Sequence, residues 1–179
     1  MRFATLLLTC AACCLLSRPS GAAAFMKLGD IKGESVEANH REWSDILSVS
    51  QSVDRLSTTN AAGGVSSTAR SELVVVKEID KSSPKIMEAV CLGTIVPVME
   101  VDLTRTFGDS SRVVFLKYEL RNVQVTSYQI NASGQSGPVP TESFSLNFEE
   151  IKVTYTQFDS AGRKLGEVIG ACRFELGKR

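Results

Sequence analysis

The stretch from Thr141 to Asp159 reads Thr-Glu-Ser-Phe-Ser-Leu-Asn-Phe-Glu-Glu-Ile-Lys-Val-Thr-Tyr-Thr-Gln-Phe-Asp. Phe144, Leu146 and Phe148 alternate with Ser143, Ser145 and Asn147. After Glu149-Glu150 the alternation resumes one residue out of phase, with Ile151, Val153 and Tyr155 against Lys152, Thr154 and Thr156. A period of two puts one face of a strand in the core and the other in water. The slip at Glu149-Glu150 is what a β-bulge or a sharp strand bend produces, re-aiming the apolar face without ending the strand. A long strand bent in this way suits a barrel or a sandwich corner.

Working outward, the rest of the chain is also rich in strand patterns. Phe25 to Ile31, Ile46 to Val53 and Leu73 to Ile79 read as the first three strands, the last apolar on both faces and therefore interior. On the second, Leu47, Val49 and Val53 share the apolar side. Strands are also expected over Thr94 to Thr104, Val113 to Leu120, Arg121 to Ile130 and Lys164 to Leu176. Pro97 places the fourth at an edge or a bulge. One helix is expected, capped by Ser82 or Ser83, with Pro84 in its first turn and Gly93 after its end. Ile86, Met87 and Val90 form its inward face. Between Asp54 and Ser71 there are few large apolar residues, so this segment is either a surface loop or an extended hairpin arm ordered by a partner. Leu56, Ser57, Asn60, Gly63, Gly64 and Val65 are the candidate contacts of such an arm.

The first residues differ in kind. Arg2 precedes the apolar run Phe3 to Leu16, and Ala22-Ala23-Ala24 offers a small-residue cleavage pattern before Phe25. This is the layout of a secretory signal peptide, so residues 1–24 are expected to leave and residues 25–179 to form one domain. The product would be periplasmic or extracellular, with no membrane association once the signal is gone. Cleavage removes Cys10, Cys13 and Cys14 and leaves Cys91 and Cys172, either bridged to each other or separately buried.

Composition and motifs exclude several classes of function. The 179 residues are 43% hydrophobic and 22% charged with a formal net charge of zero, and no basic run points to nucleic acid. His40 is the only histidine and stands in a polar stretch, expected to be solvated, so no nucleophile has a base to activate it. Two distant cysteines and one histidine do not make a metal site. Glu149 and Glu150 read as bulge residues, and Gly63-Gly64 lacks the Lys of a phosphate loop. Asn131-Ala132-Ser133 fits the glycosylation sequon of a eukaryotic secretory pathway. The expectation is a non-enzymatic protein without catalytic residues, cofactor or metal.

Three stretches together resemble the haemolysin-coregulated protein (Hcp) family of the bacterial type VI secretion system. They are Phe25-Met26-Lys27-Leu28-Gly29-Asp30-Ile31-Lys32-Gly33-Glu34-Ser35, then Ile79-Asp80-Lys81-Ser82-Ser83-Pro84, then Glu142 to Phe148 followed by Ile151 to Tyr155. The resemblance covers nearly all of the chain after residue 24. It implies a small β-barrel of two packed antiparallel sheets, with one short flanking α-helix and a long protruding loop falling at Asp54 to Ser71. It also implies a homo-oligomer, a hexameric ring stacked into a tube, with secreted effectors in the lumen and a spike protein at the end. The family's typical members lack a signal peptide. The alternative is therefore an exported Hcp-like extracellular or surface binding protein outside any contractile machine.

Overall fold

The computed structural model describes residues 21–59, 65–107, 112–132 and 139–174. The strands are β1 (Ala23–Leu28), β2 (Ser44–Ile46), β3 (Ser48–Thr59), β4 (Val65–Glu78), β5 (Ile95–Thr106), β6 (Arg112–Asn131), β7 (Thr141–Asn147), β8 (Glu150–Phe158) and β9 (Lys164–Arg173), with helix α1 (Ser83–Leu92) between β4 and β5. The pairing is antiparallel, in the order β2-β1-β5-β6-β7-β4-β3 with β8 and β9 branching from β6. β2 and β3 end this path, yet Leu47 alone separates them and its N–H donates to the Val76 carbonyl of β4. The two ends of the path are thereby brought together, and the wall curls into the barrel-like form expected from the sequence, although the ladder itself stays open.

The Thr141–Asp159 stretch does bend at Phe148-Glu149, where β7 gives way to β8 along the same neighbour: Asn147 pairs with Gln124 of β6 and Glu150 with Arg121. On the far side β7 meets β4 and β8 meets β9, so the sheet forks here. Phe148 and Phe174 fill the fork edge to face, their centroids 5.7 Å apart. The longest strand is instead β6, 20 residues without a break. The two strands expected over Val113–Leu120 and Arg121–Ile130 are one, because Asn122 adopts a left-handed φ of 50° and turns the chain without ending the ladder.

Alternation builds the core. Leu73 and Val75, Phe144 and Leu146, Met99 and Val101, Met26 and Leu28 are all buried and pack into one cluster. α1 closes one side through Ile86 and Ala89, with Val90 half-buried. Met87, expected inward, is 48% exposed, because the Ile86–Ala89 stripe leaves it one position off the contact. Leu47 and Val53 are likewise exposed, since the junction at Leu47 hands the chain from one neighbour to another. The helix stops at Gly93 in the left-handed region, whose N–H and that of Thr94 satisfy the last carbonyls.

A strap from Glu34 to Trp43 lies over β1. Its two ends are joined to each other by Gly33 N–H to Glu42 O and Ser35 N–H to Trp43 O. His40, expected in solvent, is buried in it at 3% exposure, its ring stacked on Phe25 at 4.2 Å. The reason is local: Glu37 Oε2 lies 2.6 Å from Nδ1 and Asp102 Oδ2 3.0 Å from Nε2, so both ring nitrogens find carboxylates indoors.

Candidate assembly surfaces

The described residues of the segment from Asp54 to Ser71 are paired strands. β3 pairs with β4 from Ser48–Val76 to Thr59–Val65. β7 joins β4 only from Leu73 onward, so the ribbon beyond it stands clear of the barrel by about eight residues, ~26 Å. The two sides of the segment pair as the extended hairpin alternative expects. Leu56 and Ser57 lie on β3 and Val65 opens β4, while Asn60, Gly63 and Gly64 fall outside the described residues. A two-stranded ribbon is marginal alone in water.

The inner end of β4 is tied down by charge. Lys77 continues the buried phase of Leu73 and Val75, and Glu142 precedes Phe144 and Leu146 in the buried phase of β7. Both side chains are wholly buried, with Lys77 Nζ 3.0 Å from Glu142 Oε1 and 2.7 Å from Asp80 Oδ1. The Glu142 contact is ionic, without an aligned hydrogen bond at Oε1. Tyr128 Oη donates to Glu142 Oε2 at 2.6 Å, and Lys77 Nζ also donates to the Glu78 carbonyl. Burial pushes the Asp80 carboxyl up, but Lys77 and the hydrogen bonds from Ser82 outweigh it and hold the group below the usual carboxylate range. Burial, then Glu142, pushes the Tyr128 phenol well above its ordinary value. This cluster joins β4, β6, β7 and the start of α1. Sequence reading passed over Lys77 and Glu142, although a charge at the buried phase of an alternating strand was the available signal.

Two further surfaces are exposed. β9 pairs only with β8, leaving one edge free, and carries Leu165, Val168 and Ile169 in solvent. Between α1 and the β1–β5 wall a groove of about 460 Å³ is lined by Leu28, Leu92, Ile95, Val96 and Val98, with Lys85 and Glu100 at its rim. Across the outer sheet face the ion pairs Lys117–Glu100, Lys152–Glu119 and Arg173–Glu150 run from β5 to β9. Lys152 holds the Glu119 carboxyl below its ordinary range.

Cys91 and Cys172 are neither bridged nor buried: both are free and exposed, on α1 and on β9. Among the described residues no cluster of His, Cys, Asp and Glu could hold a metal ion, and no helix is long and apolar enough to cross a membrane. Glu149 and Glu150 sit at the bend, where Asn122 donates to Glu149 Oε2 and Arg173 pairs with Glu150.

Residues 25–155 match the family model described as "Type VI secretion system effector, Hcp". The chain belongs to the Hcp family. It is 32% identical over 144 residues to the Hcp1 protein of Pseudomonas aeruginosa, covering 79% of this chain and 88% of that protein. A solved type six secretion system protein superposes with a TM-score of 0.72 at 24% identity, over 84% of this chain and 93% of that one. Hcp1 of Salmonella typhimurium does so with 0.69 at 23% identity, over 88% and 97%. At those identities the structures support the Hcp fold, while the family rests on the sequence matches.

Proposed function

We propose that this Hcp-family chain is a structural component of a type VI secretion tube, forming homo-hexameric rings that stack and carry effectors in the lumen. The observation that carries the reading is the family match, running from Phe25 through the Thr141–Tyr155 strands. The arm supports it: among the described strands, β3 and β4 pair only with each other in the ribbon that precedes Leu73, and a neighbouring subunit would add a further strand edge. In a closed ring that contact is head to tail, each arm meeting the next barrel. Ordering the arm costs roughly 1–2 kcal/mol per residue of backbone entropy, which the neighbour must offset.

The test is native mass by light scattering, with circular dichroism beside it. The intact mature protein is expected as a hexamer, and deletion of Leu56 to Ala69 as a folded monomer. A deletion variant that stays hexameric, or an intact protein that stays monomeric at high concentration, overturns the assembly reading. Ala22-Ala23-Ala24 before Phe25 favours a second reading, an exported relative that keeps the ring but serves as a surface or extracellular binding protein. In both readings residues 1–24 are a cleaved signal and residues 25–179 the Hcp domain. The presence of sheath and spike genes beside this one separates the two.

A further inference from the structure

We infer that the new α-ammonium created by cleavage at Ala24–Phe25 is the missing partner of the buried Asp102 carboxylate, so that removing the leader completes an ion cluster under the strap. The inference rests on the cleavage reading of the proposed function. Three observations converge on it.

Asp102 is 6% exposed, and while its Oδ2 meets His40 Nε2 at 3.0 Å, its Oδ1 is buried with no hydrogen-bond partner. A buried carboxylate oxygen left unpaired costs free energy that a nearby cation would recover. Second, Phe25 stands directly opposite Asp102 in the β1–β5 ladder. Side chains so paired share a face at about 5 Å, and the Phe25 nitrogen is one bond from the Cα that carries the ring. Third, the local charge is unbalanced. Glu37 and Asp102 both face the His40 ring, one cation at most between two carboxylates. Asp45 of β2 flanks Phe25 on its other side, with Oδ1 accepting from Ser35 Oγ at 3.1 Å. Of the cations nearby, Arg112 lies over the Phe25 ring at 5.6 Å, and Lys117, opposite Asp102 on β6, hydrogen-bonds Glu100 and feels the Asp102 charge without bonding its Oδ1.

Before cleavage the same nitrogen is a neutral amide in mid-strand. Ala23 and Ala24 continue β1 along β5, Ala24 also pairs with Ile46 of β2, and Thr104 Oγ1 donates to the Ala23 carbonyl at 2.9 Å. Both edges of the strand are taken at the scissile bond and Phe25 is 2% exposed, so a protease reaches that bond only in the unfolded chain. Hydrolysis adds one water, giving the Ala24 carboxylate on the departing leader and the Phe25 amine, which protonates below its ordinary pKa of about 8. Processing thus precedes folding and trades two ladder residues for a buried cation.

The experiment expresses the full 179-residue chain, collects the exported protein and sequences its N-terminus. Phe25 is expected first; any other start overturns the cleavage reading and this inference with it. The α-amine is then acylated at about pH 7, near its ordinary titration range. In the folded protein it is expected to react at least about tenfold more slowly than in Asp102→Asn, matching an opposite charge that raises a pKa by one unit or more. Equal rates overturn the pairing while leaving the cleavage intact. A comparison without core mutations uses exported forms beginning at Phe25 and at Ala23, the second made by shifting the leader. The folded pKa of the Phe25 ammonium is raised, so its stabilisation is full below the unfolded value and lost as pH rises through the folded one. The denaturation midpoint of the Phe25 form alone should therefore fall between about pH 8 and pH 10. Parallel curves for the two forms overturn the inference.

Discussion

Lys77 is the residue on which the arm's attachment turns. With two carboxylates against one buried ammonium, removing the cation leaves Glu142 and Asp80 without their counter-charge. Lys77→Met should destabilise the domain by about 3–5 kcal/mol, measured by urea unfolding, and Lys77→Met with Glu142→Leu should recover most of that loss. Asp80 gives the same cluster a pH signature. Its carboxyl is held below the ordinary value, so its contribution is present above the unfolded pKa and lost as pH falls through the folded one. The urea midpoint should drop as pH falls below about 4, and Asp80→Asn should flatten that drop. Cys91 and Cys172 carry a simpler expectation: both thiols should react with a disulfide reagent in the native, unreduced protein without prior unfolding. None of these polar roles was plain from residue type. The polar neighbours of His40 in sequence point to solvent, whereas its burial depends on Phe25 and on Asp102, 62 positions away.

At the scale of the element, the strap is held by close backbone approach. A Cβ on Gly33 would stand 2.4 Å from the Trp43 carbonyl and from Ser44 Oγ, so Gly33→Ala must force the two ends of the strap apart. Circular dichroism melting should show a loss of stability, with faster proteolysis within the strap, Glu34 to Trp43. Elements that follow a single local rule were legible beforehand. α1 has its Pro near the start and its Gly at the stop, and the Phe144–Leu146–Phe148 alternation lies in the core as read. Elements defined by a change of partner were not. Nothing local at Leu47 announces that the chain passes from β1 to β4, and Asn122 reads like a turn while sitting inside β6. The outer half of Thr141–Asp159 shows the same limit: Tyr155 keeps the alternation yet is 43% exposed, because the sheet has forked and β9 leads away from the core.

At the scale of the molecule, β9 carries large apolar residues in solvent. Leu165, Val168 and Ile169 on a free edge strand would favour association of any isolated subunit. Val168→Lys with Ile169→Lys should lower the native mass without changing the circular dichroism spectrum, and an unchanged mass would place that edge outside the assembled surface. The route of β4 has a mechanical consequence. It enters from the arm, crosses the wall between β3 and β7, and ends at the Lys77 cluster. Its antiparallel bonds lie across the direction of a pull along the arm, so such a pull loads them all sideways at once instead of peeling them one by one. The arm is therefore stiff in tension and compliant in bending. A neighbour gripping it would be joined by a tie-rod, able to transmit a sudden axial load through the ring while each barrel still tilts against the next.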